Sequence, residues 1–110
     1  MLTANQSLAT NQSLVSCDGR FDLIMQGDGN LVLYEGSTPL WASNTVNSGA
    51  TKAIMQGDGN FVVYTSSGAP VWASNTPGNS GAKLNLRNDG NVVVYSASGA
   101  ALWASNTGGH

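Results

Sequence analysis

The sequence contains few charged residues. Only 9% of its 110 residues are Asp, Glu, Lys or Arg, against about 25% in typical globular domains. The cations Arg20, Lys52, Lys83 and Arg87 are scattered along the chain, and the formal net charge is -2. A nucleic-acid-binding protein would carry a basic stripe, so we expect no nucleic-acid partner. The polar surface must be built from Asn, Ser and Thr, whose neutral groups suit neutral, hydroxyl-rich partners.

Cysteine and long apolar runs are equally scarce. Cys17 is the only cysteine, which excludes an internal disulfide and favours a reducing compartment. The N-terminal residues have neither the basic start nor the apolar stretch of a signal peptide, and no segment approaches the roughly 20 apolar residues of a membrane span. We therefore predict a cytoplasmic protein without membrane insertion; secretion after removal of a signal peptide is the alternative. Asn5-Gln6-Ser7 and Asn11-Gln12-Ser13 match glycosylation acceptors, which we interpret as chance matches in this Asn- and Ser-rich chain.

Groups for catalysis or metal binding are also few. His110 is the only histidine and the last residue of the sequence, so no Ser-His-Asp triad can be built on it. Cys17 has no histidine partner for thiol chemistry. Glycoside hydrolysis needs two carboxylates around one bond, and no group of residues has the spacing of a zinc or calcium site. We predict a protein that is not an enzyme and that uses no cofactor and no metal.

What the sequence does contain is one pattern in three copies. MQGDGNLVLYEGSTPLWASNT (residues 25–45) recurs as MQGDGNFVVYTSSGAPVWASNT (55–76) and as LRNDGNVVVYSASGAALWASNT (86–107). Trp41, Trp72 and Trp103 are spaced 31 residues apart. We interpret residues 1–110 as a single domain made of these three internal repeats.

Each repeat predicts antiparallel strands joined by tight turns. In the first repeat Leu31 and Leu33 alternate with Val32 and Tyr34, which is the period of two expected of a strand. The Asp-Gly-Asn tripeptides are hairpin signals, because Gly and Asn tolerate positive φ. No segment has the pattern of an amphipathic helix. The sequence therefore predicts an all-β fold.

One face of each predicted unit is apolar and must be buried against the other units. The side chains that share the inward parity are Leu23, Met25, Leu31 and Leu33, then Ala53, Met55, Phe61 and Val63, then Leu84, Leu86, Val92 and Val94. We expect the three tryptophans to join this core rather than to stack on a ligand. Residues 2–20, which contain the echo NQSLATNQSL, should supply further strands. The prediction is a prism of three small antiparallel sheets around a pseudo-threefold axis.

Five side chains of each repeat share the opposite face. They occupy alternate positions, so they project away from the core, and the turn gathers them around a shallow pocket. They define site 1 (Gln26, Asp28, Asn30, Val32, Tyr34), site 2 (Gln56, Asp58, Asn60, Val62, Tyr64) and site 3 (Arg87, Asp89, Asn91, Val93, Tyr95). Asp-Gly-Asn alone is explained by a turn, but turn geometry requires neither the Gln nor the Tyr. A carboxylate, two amides, a phenol and an apolar patch can match the hydroxyls and the C–H face of a sugar.

Q-x-D-x-N-x-V-x-Y followed by W-A-S-N-T closely resembles the monocot mannose-binding lectins, also called snowdrop-type or bulb-type lectins. The resemblance covers essentially the whole chain. It implies a β-prism II fold of three four-stranded sheets and metal-free binding of α-mannose. In site 1 the carried-over roles are the 2-hydroxyl for Asp28 and Asn30, the 3-hydroxyl for Gln26, the 4-hydroxyl for Tyr34 and the ring carbons for Val32. The residues of site 2 take the same roles.

The sequence departs from this family in two places. Plant members carry a disulfide at the positions of Gly29 and of the Thr51-Lys52 region, and its absence here fits a non-secreted or microbial member. Arg87 occupies the Gln position of site 3. Because arginine has donors but no acceptor, we predict that Arg87 pairs with Asp89 and weakens site 3. In a second interpretation Arg87 donates to the sugar itself.

The leading hypothesis is a multivalent, non-catalytic protein that binds α-mannose and mannose-rich glycans or glycoproteins. The alternative is a β-prism module that has lost sugar binding and acts as a protein-interaction or toxin/defence protein. The resemblance also implies a homodimer in which C-terminal strands, here residues 101–107, cross between subunits.

Overall fold

The computed structural model describes all 110 residues and contains eleven β-strands and no helix. The strands are β1 (Gln6–Ala9), β2 (Ser13–Val15), β3 (Phe21–Met25), β4 (Leu31–Glu35), β5 (Thr38–Ala42), β6 (Ala50–Met55), β7 (Phe61–Thr65), β8 (Pro70–Ala73), β9 (Lys83–Leu86), β10 (Val92–Tyr95) and β11 (Ala101–Ala104). The structure therefore contains no helix that is long and apolar enough to cross a membrane. The predicted all-β class is confirmed.

The strands form three antiparallel sheets, one for each repeat. Two sheets have four strands, in the orders β2-β3-β4-β5 and β1-β6-β7-β8, and the third has the order β11-β10-β9. The fourth position of the third sheet is held by a single bridge between Leu2 and Leu84. Strand pairing does not continue beyond Leu2, because the chain turns between Thr3 and Gln6 to begin β1. The predicted three-sheet prism is confirmed, with the twelfth strand shortened to one residue.

The N-terminal segment supplies further strands, as predicted, and contributes an edge to each of the three sheets. β1 pairs with β6, and β2 pairs with β3. Each of these two strands follows a turn in which an asparagine adopts a left-handed conformation, with φ of 66° at Asn5 and 68° at Asn11. The two copies of Asn-Gln-Ser-Leu therefore enter two different sheets.

The core lies between the three sheets and contains all twelve side chains with the predicted inward parity. Phe21, Leu2, Leu8, Ala50 and Ala82 complete it. This arrangement follows from the period of two, because each strand presents one apolar side to the centre and its other side to the surface.

The tryptophans pack against this core around the pseudo-threefold axis. Trp41, Trp72 and Trp103 contact one another edge to face, with ring centroids 5.2 to 5.4 Å apart and interplanar angles of 71 to 74°. Edge-to-face geometry is favoured because the positive ring edge meets the negative ring face. All three side chains are partly rather than fully buried, and they belong to the core as predicted.

Candidate functional site

A tight turn carries the first three residues of each site. In site 1 the Gln26 N–H donates to the Asn30 carbonyl at 2.9 Å, and Gly29 between them has a φ of 90°. Asp28 Oδ1 accepts from the Asn30 N–H at 3.0 Å, so the carboxylate stabilises its own turn. Sites 2 and 3 repeat this Asp–Asn contact at the same distance of 3.0 Å.

The glutamine, aspartate and tyrosine side chains of site 1 contact one another. With the Gln26 amide oriented to satisfy both neighbours, its Oε1 accepts from Tyr34 Oη at 2.5 Å and its Nε2 donates to Asp28 Oδ1 at 3.1 Å. In site 2 the Gln56 amide donates to the Tyr64 hydroxyl. The structure thus brings together side chains from the turn and from the following strand, as the alternation in the sequence predicted.

The asparagine of each site is oriented by the Trp-Ala-Ser-Asn-Thr segment. Asn30 Oδ1 accepts from Ser43 Oγ at 3.2 Å and from the Thr45 N–H at 3.3 Å. Asn60 and Asn91 repeat both contacts within their own repeats. No buried side-chain nitrogen or oxygen lacks a partner, so the Asn30 Nδ2 group, which makes no hydrogen bond within the protein, faces solvent as a free donor.

The hydroxyl residues of this segment support the sites but were not predicted as functional. Thr45 Oγ1 donates to the Gly29 carbonyl at 2.6 Å and lies 2.8 Å from Ser43 Oγ. Ser43 Oγ in turn accepts from the Leu31 N–H at 3.1 Å. The equivalent residues are Ser74, Thr76, Ser105 and Thr107. A usable signal was present, because Ser and Thr repeat in register in all three copies and buried hydroxyls require partners.

The valine of each site lies on the predicted face but offers little surface. Val32, Val62 and Val93 are 3, 2 and 2% exposed, and none belongs to the core cluster. On β4, Val32 lies between Ile24 of β3 and Ala42 of β5, which cover its flanks. The valines therefore form the floors of the sites, and no deep cavity opens above them.

Site 3 has a different polar contact. Arg87 Nη1 donates to Tyr95 Oη at 3.0 Å, and its Nη2 lies 3.5 Å from Asp89 Oδ2. The hydrogen bond to Tyr95, and then the charge of Asp89, raise the pKa of the Arg87 guanidinium above its ordinary value. The predicted pairing of Arg87 with Asp89 is present, so in site 3 the aspartate already faces a cation.

Groups that could bind a metal or react as a nucleophile are few in this structure. No group of three His, Cys, Asp or Glu side chains is placed to hold a metal ion. Cys17 is free and exposed. The position after Asp28 leaves little room for a side chain, since a Cβ at Gly29 would lie 2.9 Å from the Thr45 carbonyl oxygen.

Solved structures with a similar fold cover most of the chain. A monomeric monocot mannose-binding lectin from Gastrodia elata is 41% identical, covers 97% of this chain and 96% of its own, and superposes with a TM-score of 0.87. The snowdrop (Galanthus nivalis) mannose-specific agglutinin, solved with methyl-α-D-mannoside, is 44% identical over 86% of this chain and 87% of its own, with a TM-score of 0.81.

Curated sequences agree over shorter segments. A lectin from Allium cepa is 56% identical over 45 residues, which are 41% of this chain and 26% of that protein. Across the curated relatives, the matched segments span 16 to 44% of the relative's length. No protein-family profile matches the chain. Identity above 40% over almost the full length of the Gastrodia elata lectin, together with the shared fold, establishes that this chain belongs to the monocot mannose-binding, or bulb-type, lectin family.

Proposed function

We propose that the protein binds α-mannose and mannose-rich glycans at sites 1 and 2, without catalysis and without metal. The observation that carries this proposal is that the two sites place the same five side-chain types in the same arrangement. In each, an aspartate, an asparagine and a Gln–Tyr pair surround a valine floor. Several relatives, among them one from Allium sativum, are named mannose-specific lectins, and the snowdrop agglutinin was solved with methyl-α-D-mannoside.

The orientation of Asn30 suits one sugar hydroxyl held by two residues. Its Oδ1 is occupied by Ser43 and Thr45, so its Nδ2 is committed to donate outward. The Asp28 carboxylate, whose Oδ1 accepts from the Asn30 N–H, supplies an acceptor in the same turn. A hydroxyl placed between them would accept from Asn30 and donate to Asp28, using both of its hydrogen-bonding modes.

Gln26, which directly follows β3, and Tyr34 of β4 extend the same face. Their mutual hydrogen bond fixes both side chains before a ligand arrives, which reduces the entropy lost on binding. We assign Gln26 to the 3-hydroxyl, Tyr34 to the 4-hydroxyl and Val32 to the ring carbons. Because Val32 is 3% exposed, its contact involves only its outermost atoms.

Single sites of this kind should bind weakly. Each hydrogen bond to a sugar hydroxyl contributes only about 0.5–1.5 kcal/mol, because water is displaced on both sides. We expect a dissociation constant for one mannose of about 1 mM. Useful strength would come from several sites that engage one branched glycan, which raises the effective concentration of the second contact.

Calorimetric titration with methyl α-mannoside, with methyl α-galactoside as the control ligand, tests the proposal. The wild-type protein should bind only the mannoside, and an Asp28→Ala, Asp58→Ala double variant should lose most of that heat. Absence of heat with wild-type protein, even with an oligomannose glycan, would contradict the proposal. That result would favour the alternative, a β-prism that recognises a protein partner.

We also propose that the protein forms a homodimer by exchange of C-terminal strands. In the single chain, β11 pairs with β10 through Val93, Val94 and Tyr95. An exchanged strand would make the same backbone hydrogen bonds with the partner subunit, so exchange costs little in pairing. Light scattering tests this proposal. A strictly monomeric solution would contradict it, and the Gastrodia elata lectins are themselves named monomeric.

A further inference from the structure

The three sites differ in the residue that lies beside the tyrosine. In each sheet the tyrosine is paired, across two antiparallel strands, with a charged residue: Tyr34 with Asp22, Tyr64 with Lys52 and Tyr95 with Lys83. Directly paired residues on antiparallel strands project to the same face of the sheet. Site 3 is the one that combines such a lysine with an arginine in the motif, because Arg87 stands at the glutamine position.

The formal charge of the three sites therefore differs. Counting the five motif side chains and the residue paired with the tyrosine, site 3 has two cations against one carboxylate, site 2 has one of each, and site 1 has two carboxylates and no cation. The charged groups are Lys83, Arg87 and Asp89, then Lys52 and Asp58, then Asp22 and Asp28. Site 3 thus has a net positive charge in a chain whose formal net charge is -2.

The two cations of site 3 converge on Tyr95. Arg87 Nη1 donates to Tyr95 Oη at 3.0 Å, and Lys83 is the residue paired with Tyr95. In site 2 the equivalent Lys52 places its Nζ 6.0 Å from the centroid of the Tyr64 ring, which shows that a lysine at this position lies beside the site. Lys83 is exposed and forms no ion pair.

The Arg87 guanidinium retains donors for a ligand. Its Nη2 lies 3.5 Å from Asp89 Oδ2, which is longer than the roughly 2.7–2.9 Å of a charge-assisted hydrogen bond. The Arg87 side chain is 48% exposed, so its other N–H groups are accessible. Asp89 Oδ1 already accepts from the Asn91 N–H at 3.0 Å. The single carboxylate of site 3 is therefore held by its turn and only loosely paired with Arg87.

Site 3 also has an open flank where sites 1 and 2 are covered. β3 is bordered by β2, and β6 is bordered by β1, but β9 is an edge strand with a one-residue bridge beside it. Lys83, Asn85 and Arg87 occupy alternate positions, so they share one face along this edge. The position of Asn85 is held by Ile24 and Ile54 in the other sheets. Site 3 thus has a polar, cationic border in place of an apolar one.

We propose that site 3 binds an anionic hexose, a sugar that carries a carboxylate or a phosphate group. The ring hydroxyls would bond Asp89, Asn91 and Tyr95, whose equivalents are present in sites 1 and 2. The anionic group would bond Arg87 and Lys83, because a guanidinium offers paired N–H donors to a carboxylate or phosphate and an ammonium adds a point charge. This inference goes beyond the neutral mannose ligand proposed for sites 1 and 2. It shares with that proposal the premise that the repeated residues form sugar sites.

A nitrogen-15 NMR titration tests the three sites separately, since the side-chain amides of Asn30, Asn60 and Asn91 each report on one of them. The anionic ligands are mannose 6-phosphate and methyl α-mannuronoside, the neutral ligand is methyl α-mannoside, and inorganic phosphate is the anion without a sugar ring. We expect Asn91 to report about tenfold tighter binding of an anionic sugar than of methyl α-mannoside. Added salt should weaken this binding, and site 1 should show no preference for the anionic sugars.

Three variants connect the preference to the cations. Arg87→Gln should lower the affinity of site 3 for the anionic sugars about tenfold while its affinity for methyl α-mannoside rises, an opposite change that general damage to the site would not produce. Lys83→Gln should lower the affinity for the anionic sugars about two- to threefold. Lys52→Gln is the matched control, because it removes the equivalent lysine beside site 2 and should leave site 3 unchanged.

Each result separates the two proposals. Binding of one anionic sugar and not the other would support the inference and identify the anionic group as carboxylate or phosphate. Equal affinity of site 3 for neutral and anionic sugars would overturn it, and so would inorganic phosphate that binds there as tightly as the sugars. Failure of methyl α-mannoside to bind at Asn30 and Asn60 would contradict the function proposed for sites 1 and 2, whereas the preference of site 3 is read independently at Asn91.

Discussion

Ser43 and Thr45 support the turn of site 1 from beneath, where no ligand can reach them. Both are buried, and their hydroxyls bond the Gly29 carbonyl, the Leu31 N–H and the Asn30 side chain. These contacts orient the Asn30 side chain. Because its Oδ1 already accepts from Ser43 and Thr45, its Nδ2 group is the one that can bond a ligand. These hydroxyls therefore fix which hydrogen bonds a ligand can make.

Thr45→Val should lower the free energy of unfolding by about 1–3 kcal/mol, because it leaves the buried Gly29 carbonyl without its hydroxyl donor. Chemical denaturation measures the change. Thr38→Val is the matched control, since Thr38 is exposed on β5 and its change should stay within about 0.5 kcal/mol. Equal effects of the two substitutions would show that the hydroxyl network contributes nothing to stability.

Arg87→Gln should strengthen site 3. The substitution removes the cation that faces Asp89 and restores an amide that can contact Tyr95 as Gln26 contacts Tyr34. We expect mannose affinity at site 3 to rise about three- to tenfold. The Asn91 side-chain amide reports this affinity in a nitrogen-15 NMR titration with methyl α-mannoside, and Asn30 serves as internal reference. Wild-type affinities that are already equal at Asn30 and Asn91 would mean that Arg87 does not weaken the site.

At the scale of the strand and turn, most of the architecture could be predicted from the sequence. The alternation of Leu31 and Leu33 with Val32 and Tyr34 indicated both faces of β4, and the structure places them accordingly. What could not be predicted depends on tertiary contact. The near-complete burial of Val32 arises from neighbours on β3 and β5, and the support from Thr45 requires two segments 16 residues apart to meet.

Two turn glycines allow the cost of a positive φ to be distinguished from the cost of a steric clash. Gly59 and Gly68 both have φ near 90°, but a Cβ at Gly59 would lie 2.4 Å from the Asn79 carbonyl oxygen, and a Cβ at Gly68 would meet nothing within 4 Å. Gly68→Ala should cost about 1–2 kcal/mol from backbone conformation alone. Gly59→Ala should cost about 1–3 kcal/mol more, because the neighbouring backbone must move. Thermal or chemical unfolding of both variants measures the difference, and equal losses would refute the close approach of these two segments.

The whole molecule is a flat prism of 34 × 33 × 18 Å whose three sheets meet at the tryptophans. A second connection lies at its periphery, where Asp18 and Arg20 contact Asn88 of the third repeat. Arg20 also donates to the His110 carbonyl at 2.9 Å. This cluster joins the sheet of site 1 to the turn of site 3, which places a pH-sensitive carboxylate between two repeats.

Asp18 should make stability depend on pH in the acid range. The Ser16 hydroxyl, at 2.7 Å, and then the Arg20 N–H hold the pKa of Asp18 below its ordinary value of 3.8. A lowered folded pKa means that the contribution is complete above the unfolded pKa and is lost as pH falls through the folded pKa. Asp18→Asn should therefore flatten the pH dependence of unfolding below about pH 4. Denaturation from pH 2 to 5 compares the two proteins, and identical slopes would exclude Asp18 as a contributor.

The most direct measurement is a crystal structure of the protein soaked in methyl α-mannoside. We predict sugar at sites 1 and 2, with one hydroxyl held between Asp28 and Asn30 and its counterpart between Asp58 and Asn60, and with lower occupancy at site 3. Sugar bound elsewhere on the prism, or empty sites 1 and 2 in a crystal where both faces are open to solvent, would contradict the proposal that these repeated residues form the mannose sites.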